Sequence, residues 1–261
     1  MKKYFKVWKQ LSICAISSYL SNRIDSFSYF FGKVIRFGFF LLLIFSIFNY
    51  TDSLAGYSKY EVILFFLTFN LLDVFAQAFF RGIYLFKDEV RLGNFDFTLT
   101  RPVNPLFYSI SRLTDILDMI FLIPILVFIV FTINKLGLEF GFLNIFLYLS
   151  LVLIGALTIL GIHIISAGIT MWTMESDNVV WFYRESMTIG RFPPEIYSGF
   201  LQFVFTFVMP VIMIVAFPVK ALFGLLAFKW AVFALAYSVS FFYVSILLWK
   251  LSLKKYSSAS S

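Results

Sequence analysis

The sequence predicts an all-α membrane protein with six transmembrane helices, and three observations indicate this fold class. Of the 261 residues, 61% are hydrophobic and only 13% are charged, whereas a soluble domain carries about a quarter charged residues. Six segments are apolar over the roughly 20 residues that a helix needs to cross a bilayer. Lysine and arginine are concentrated in alternate connections, as in multi-pass proteins. Residues 1–261 are therefore expected to form a single transmembrane domain.

The composition also limits the chemistry that the chain can support. Cys14 is the single cysteine and His163 the single histidine. An intramolecular disulfide and a histidine-cluster metal site are therefore excluded within one chain. A net charge of +7 could indicate nucleic acid, but in a membrane protein it indicates basic cytoplasmic flanks. We expect membrane lipid, and no nucleic acid, among the partners.

Residues 1–22 predict an amphipathic helix that lies in the membrane surface. Phe5, Trp8, Leu11 and Ala15 share one side at helical spacing, and lysines occupy another. A secretory signal peptide fits less well, because polar residues interrupt the apolar stretch. The alternative is a frayed cytoplasmic tail.

The six predicted spans differ in length and in glycine content. Their expected ranges are 30–50, 61–83, 113–133, 142–172, 200–217 and 229–250. The fourth is long for one crossing, which predicts a tilted helix or an extension into the cytoplasm. Gly155, Gly161 and Gly168 in that span indicate close packing against neighbouring helices.

The distribution of basic residues predicts the orientation of the spans. With both termini inside, the cytoplasmic connections hold fifteen lysines and arginines, and the outer connections hold four. Lys33 and Arg36 lie at the inner end of the first span. Since cytoplasmic loops carry the excess of basic residues, the sequence predicts a multi-pass protein of the cell membrane with cytoplasmic N and C termini.

Two polar connections are then expected to face the cytoplasm, at residues 86–108 and 173–198. In the first, Gly93 precedes a short apolar stretch, and Pro102 and Pro105 end it, because proline cannot continue a helix. This pattern predicts a short rigid helix that exposes apolar residues below the bilayer. Such residues within a charged rim are typical of a protein-binding patch; the alternative is a loop that packs on its own bundle.

The spacing within this short helix predicts which side chains face a partner. Phe95, Asp96 and Leu99 lie on one side by three- and four-residue spacing. Arg101 follows the helix, where it could pair with Asp96 or with an acidic residue of a partner. We therefore expect Phe95 and Leu99 to be apolar anchors of a contact with another protein.

Five polar residues are predicted within the spans or near their ends: Asp73, Gln77, Asp115, Asp118 and His163. Ionisable groups at such depth are candidates for function, but structural pairing is favoured here. Asp73, Gln77 and Arg81 fall at four-residue steps along one helix face. Asp115 can pair with Arg112 one turn away.

Motifs of nucleotide-binding and hydrolytic enzymes do not occur in the sequence. There is no GxxxxGKS or GxxxxGKT phosphate loop, no HExxH and no GxSxG. We therefore expect no enzyme activity and no cofactor bound by this chain. A secondary transporter that uses Asp73 and His163 is the alternative, although no internal repeat is found. His163 itself is expected to form an interhelical hydrogen bond rather than to carry protons.

Two motifs resemble those of a family of bacterial ABC-type export permeases in the ABC-2 superfamily. The first is a glycine followed by Asp-x-x-Leu-x-Arg-Pro-x-x-Pro-Leu, carried here by Gly93, Asp96, Leu99, Arg101, Pro102, Pro105 and Leu106. The second is Arg-x-Pro-x-x-Ile-Tyr, carried here by Arg191, Pro193, Ile196 and Tyr197. The surface helix, the six spans and both motifs follow in order, so the resemblance covers almost the whole chain.

The resemblance implies a permease driven by a separate cytoplasmic ABC ATPase dimer, which would bind ATP and Mg²⁺. Two permease chains, identical or homologous, would pair around the substrate path. The first cytoplasmic loop would be the coupling helix that docks on the ATPase. Residues 217–229 would form a re-entrant helical hairpin at the outer face.

Overall fold

The computed structural model describes residues 2–173 and 177–257, and this part of the chain consists of helices and short connections. The α-helices are α1 (Lys2–Ser21), α2 (Arg23–Ile47), α3 (Lys59–Phe80), α4 (Phe86–Arg91), α5 (Asn94–Leu99), α6 (Pro105–Ser111), α7 (Ile116–Leu136), α8 (Phe142–Thr173), α9 (Asp177–Met187), α10 (Gly199–Phe203), α11 (Val211–Leu222) and α12 (Phe228–Lys255). Short 3₁₀ helices occur at Arg81–Leu85, Thr188–Arg191 and Pro194–Ile196, and a π-helical turn occurs at Val204–Val208. The predicted all-α class is confirmed.

Five helical segments are long and apolar enough to cross a membrane: Arg23–Ile47, Lys59–Arg91, Ile116–Leu136, Phe142–Thr173 and Phe228–Lys255. A sixth is obtained if the bent pair Gly199–Val208 and Val211–Leu222 is counted as one span. The chain is therefore a multi-pass membrane protein. The first four predicted spans correspond to α2, α3, α7 and α8, and the last corresponds to α12.

The connections define two faces of the helix bundle. One, the loop face, holds α1, residues 81–115 and the end of α12. On it α1 packs along α6, where the rings of Tyr4 and Phe107 have centroids 4.9 Å apart. The other, the opposite face, holds residues 48–58, 137–141 and 223–227. There the ring of Phe140 contacts that of Phe223.

The helices differ strongly in how far they are buried. Of the 18 most apolar consecutive residues in α3 and its extension, 72% are buried inside the protein. The corresponding share for α2 is 6%. The core is formed where α7, α8 and α11 surround α3. The outer side of α2 is therefore free to contact lipid or another chain.

The glycines of α8 lie where neighbouring helices approach most closely. A Cβ atom at Gly155 would lie 3.0 Å from the Ile214 carbonyl oxygen of α11, and one at Gly161 would lie 2.8 Å from the Phe241 ring of α12. Such contacts are tighter than nearly all Cβ contacts in proteins, so glycine permits the observed close approach of the helices. The predicted packing role of these glycines is confirmed.

The segment after α8 differs from the cytoplasmic loop predicted at 173–198. Tyr183 of α9 contacts His163 inside the bundle, with ring centroids 5.2 Å apart. Further along, Glu195 accepts a hydrogen bond of 3.3 Å from the hydroxyl of Tyr57, which belongs to the opposite face. This segment therefore passes through the bundle from the loop face to the opposite face. Hydropathy does not predict this crossing, because the segment contains charged residues and prolines.

The next segment differs from the span predicted at 200–217 and from the hairpin predicted at 217–229. Gly199–Val208 and Val211–Leu222 meet at an angle of 99°, at Pro210, whose missing N–H prevents one continuous helix. Lys220 near the end of α11 pairs with Glu195 just before α10. The start of α10 and the end of α11 therefore lie together at the opposite face. The two helices enter the bundle and return to the same face. They form a V-shaped re-entrant pair.

Candidate functional site

The first polar connection is a fixed series of turns on the loop face. Gly93 has a φ of 71°, a left-handed conformation that glycine adopts without penalty. It is followed by α5, the short helix that the sequence predicted. Asn104 then accepts a hydrogen bond of 3.2 Å from the Phe107 N–H, and Pro105 occupies the first turn of α6. The position of α5 is therefore set at both ends.

Phe95 lies inside the protein. Its exposed fraction is 0%, and its ring contacts Phe86, Trp249 and Tyr256 with centroid distances of 4.9, 6.3 and 5.3 Å. The expectation that Phe95 anchors a partner protein is wrong. Its ring instead fixes α5 to α4 and to the end of α12. Local helical spacing could not reveal this, because two of the contacts come from residues more than 150 positions further along the chain.

Asp96 and Arg101 contact different parts of the bundle. Tyr256 donates a hydrogen bond of 3.0 Å to Asp96 Oδ1. Burial, together with this contact, raises the pKa of Tyr256 to about 12. Arg101 donates a hydrogen bond of 2.7 Å to the Tyr108 hydroxyl, and its guanidinium lies 4.4 Å from the centre of that ring. Asp96 thus turns towards the end of α12, and Arg101 turns towards α6.

Three apolar side chains around α5 face outwards and form a surface that we call the loop patch. It consists of Leu92, Phe97 and Leu99, with exposed fractions of 69%, 68% and 38%. Arg91 and Arg101 are exposed beside it. The sequence predicted Leu99 as an anchor, but Leu92 and Phe97 provide more of the exposed apolar surface. Pro102, also exposed, accepts a hydrogen bond from the Lys3 ammonium of α1 through its carbonyl.

Polar residues of α2, α3 and α7 form one connected network inside the bundle. Gln77 donates a hydrogen bond of 2.8 Å to Asp73, the contact that their four-residue spacing predicted. Gln77 also accepts a hydrogen bond of 3.2 Å from Lys33. Lys33 in turn forms an ion pair with Asp118, whose side chain is fully buried. This network links three helices at the level of the membrane.

Arg81 joins the same network from the loop face. It forms an ion pair with Asp115, and its Nη1 lies 3.9 Å from Asp118. Asp115 also caps α7 by accepting hydrogen bonds from the first backbone N–H groups of that helix. The predicted pairing of Asp115 with Arg112 is wrong: Arg112 pairs with the buried carboxylate of Glu89.

His163 contributes ring contacts instead of the predicted interhelical hydrogen bond. It is 1% exposed, and its Nδ1 lies 2.9 Å from the Ile159 carbonyl of its own helix. Within the described residues its Nε2 has no hydrogen-bond partner. The rings of Phe80, Tyr84 and Tyr183 surround it at centroid distances of 5.7, 5.8 and 5.2 Å. His163 therefore packs three segments together.

The second predicted motif lies in the crossing that follows α9, away from the loop patch. The Arg191 guanidinium lies 5.0 Å from the ring centres of both Phe40 and Phe69. Tyr197 donates a hydrogen bond of 2.9 Å to the Ile189 carbonyl, which folds the motif back on itself. Pro193 is buried and Ile196 is 42% exposed. The motif thus lines the bundle and its opposite face.

Two adjoining cavities are lined by basic residues that were not among the site residues expected from the sequence. Lys33, Arg36 and Arg184 line both cavities together with Gln77. One cavity has a volume of about 60 Å³ and reaches Arg191; the other has about 370 Å³ and reaches Arg81. A signal was present in the sequence, because Lys33 and Arg36 are cations three residues apart in a span of apolar side chains.

The fold and these sites define a multi-pass membrane protein with a structured polar face and charged residues inside its bundle. The chain matches the family described as ABC-2 family transporter protein over residues 34–260. It belongs to that family and is therefore a membrane permease of ABC-type transport, a component that works with an ATP-binding subunit. No curated protein and no solved structure matches the chain.

Proposed function

We propose that the chain is the permease subunit of an ATP-driven exporter. In this proposal two permease chains form the substrate path, and a separate cytoplasmic ABC ATPase dimer drives it. ATP and Mg²⁺ bind to the ATPase subunits, and this chain binds neither. The family membership supports a permease that acts with an ATP-binding subunit. The absence of a phosphate-loop motif from the sequence supports a separate motor.

One structural observation carries the proposal, namely the exposed loop patch on a rigid base. Leu92 and Phe97 expose more than two thirds of their surface on the loop face. The buried ring of Phe95 and the Arg101–Tyr108 hydrogen bond hold the backbone that carries them. An exposed apolar surface on a fixed polar loop is suited to docking a partner protein. Motion of the ATPase would then be transmitted through α4 and α5 to α12.

The distribution of charge supports a cytoplasmic location for the loop face and for both termini. The structure moves Arg184 and Arg191 from the predicted loop into the crossing that follows α8. Thirteen of the fifteen basic residues assigned to the cytoplasmic side then stay on the loop face, against four at the opposite face. This excess is the pattern of cytoplasmic connections in the cell membrane. α1 would then lie along the inner membrane surface.

The pairing of two permease chains is supported by the exposure of α2. Only 6% of its most apolar stretch is buried in a single chain. The two cavities lined by Lys33 and Arg36 open beside this helix. A second permease copy or a homologous chain that covers α2 would enclose these cavities. The enclosed space would be the substrate path.

A secondary transporter that uses Asp73 and His163 fits the contacts less well. Asp73 accepts a hydrogen bond from Gln77. The Nδ1 atom of His163 faces the carbonyl of Ile159, and aromatic rings surround the imidazole. Coupling by protons would need a polar route between these two groups, and ring packing around His163 disfavours such a route.

The docking role is tested by replacing both Leu92 and Phe97 with alanine. Truncating a central apolar anchor of an interface costs about 2 kcal/mol or more, roughly thirtyfold in affinity. We expect the amount of ATPase that co-purifies with the chain to fall by at least that factor. The measurement is the ratio of ATPase to permease after extraction from native membranes in mild detergent.

Phe228→Ala is the matched control for this experiment. Phe228 is 70% exposed, nearly the same as Phe97, but it lies at the opposite face. We expect Phe228→Ala to leave the ratio of ATPase to permease unchanged. An unchanged ratio for the Leu92 and Phe97 double variant would show that the loop patch does not bind the ATPase.

A further inference from the structure

Five basic side chains form a row through the membrane beside α2, and we call it the cation row. Its members are Arg81, Arg184, Lys33, Arg36 and Arg191. Its length can be measured along α3. Arg81 directly follows the last residue of this helix, Lys33 contacts Gln77, and Arg191 lies over Phe69. With a helical rise of 1.5 Å per residue, the distance from Arg81 to Phe69 is about 18 Å. The row thus covers more than half of the roughly 30 Å hydrocarbon core.

The carboxylates inside the bundle neutralise only part of this charge. Asp118 pairs with Lys33, and Asp115 pairs with Arg81. Arg36, Arg184 and Arg191 line the same cavity as Asp73, and the carboxylate of Glu185 also acts on Arg191. Five cations thus stand against four carboxylates, and one positive charge is left over among the described residues. Charge that is not neutralised inside a membrane is costly and marks an ion or substrate pathway.

Two of these cations are placed to receive a ligand. Arg36 is exposed in a single chain and lies eleven residues before the end of α2, about 16 Å below the opposite face. The Nε atom of Arg191 is buried and has no hydrogen-bond partner among the described residues. A guanidinium group recognises planar or tetrahedral oxyanions through several N–H donors. Both residues therefore offer donors to an anionic group at mid-membrane depth.

The wall of the same cavity is aromatic. It is formed by Phe37, Phe40, Phe66, Phe69 and Phe121. α2, on the edge of the cavity, is exposed along most of its length, so the cavity opens towards the lipid in a single chain. A ligand that enters from the bilayer would meet apolar rings with its tail and cations with its head.

We propose that the cation row binds the anionic head group of an amphiphilic substrate, a phosphate or a carboxylate, while its apolar tail lies against the aromatic wall. As a statement about transport, this inference rests on the proposed permease function. Binding itself can be measured without the ATPase.

The test uses the purified full chain in nanodiscs of phosphatidylcholine, with empty nanodiscs subtracted. Radiolabelled dodecyl phosphate is the probe, and dodecylphosphocholine, dodecyltrimethylammonium and inorganic phosphate are the competitors. We expect saturable binding of dodecyl phosphate and at least about tenfold weaker competition by each of the other three. Arg36→Gln and Arg191→Gln should each weaken binding about tenfold, the range for the loss of one charge-assisted hydrogen-bonding group. Lys59→Gln, outside the cavity, should leave binding unchanged.

Several results would overturn the inference. Equal binding of the three dodecyl compounds would show that charge is not recognised, and equal competition by inorganic phosphate would show that the tail does not enter. Unchanged binding in both arginine variants would place the ligand elsewhere. If Arg36→Gln separates permease dimers without changing binding, the row serves the interface through groups such as Glu185. Failure of ATPase co-purification would instead contradict the permease proposal and leave the binding result standing.

Discussion

Asp118→Asn is expected to lower the free energy of unfolding of the helix bundle by about 3 kcal/mol. The Asp118 side chain is fully buried and pairs with Lys33 of α2, while Arg81 approaches it from the 3₁₀ helix that follows α3. Removing one member of a buried ion pair leaves the other charge uncompensated, which costs about 3–5 kcal/mol. The lower end applies here because Lys33 and Arg81 keep 18% and 25% of their side-chain exposure. For a chain of this size the midpoint of thermal unfolding in detergent should fall by roughly 6–12 °C.

A second variant separates loss of the ion pair from a general defect in folding. Replacing a buried pair by apolar residues of similar size is often neutral or stabilising. Lys33→Met combined with Asp118→Leu should therefore recover most of the lost stability. Asp52→Asn, an exposed carboxylate of the opposite face, should have no effect. If Asp118→Asn unfolds at the same temperature as the unchanged chain, the buried pair does not stabilise the bundle.

Phe95→Ala is expected to detach α5 from α12 without unfolding the spans. Removal of a buried phenylalanine costs about 3–5 kcal/mol, and the lost contacts with Phe86, Trp249 and Tyr256 join the loop to the bundle. Local opening of the loop should therefore increase at least about a hundredfold. Hydrogen exchange of the amides of residues 93–100 measures this directly. ATPase binding should also fall, because the loop patch would lose its fixed base.

Comparison with Phe97→Ala distinguishes the buried ring from the exposed one. Phe97 is 68% exposed, so its loss should leave hydrogen exchange in the loop unchanged while it weakens ATPase binding. Phe95→Leu, which refills most of the volume, should restore slow exchange. Fast exchange in Phe97→Ala, or unchanged exchange in Phe95→Ala, would contradict the division of roles between the two rings.

The fold class, five of the six spans and the position of α5 could be predicted from the sequence because each depends on local pattern. Long apolar runs define α2, α3, α7, α8 and α12. Gly93 and the following prolines delimit α5. The contact between Asp73 and Gln77 likewise follows from helical spacing. In all these cases the residues that determine the result are close together in the chain.

The rest depends on contacts between distant residues. The crossing after α8 carries Arg184 and Arg191, whose charges are tolerated because they face internal cavities and aromatic rings. Hydropathy predicts that such a segment is exposed to water. The apolar re-entrant pair of α10 and α11 is then predicted as the fifth span instead. In the same way local spacing predicts that Phe95 is exposed. In the structure its ring is covered by Trp249, from the far end of the chain.

The most direct test of the account is the ATP hydrolysis that accompanies the chain when it is purified. The tagged chain, extracted from its native membrane in mild detergent, should carry a phosphate-loop ATPase in equal amount and hydrolyse ATP. The Leu92→Ala and Phe97→Ala double variant should yield the folded chain without that subunit and without hydrolysis. ATP turnover by the chain after all other proteins are removed, or a folded chain that never binds an ATPase, would contradict the account.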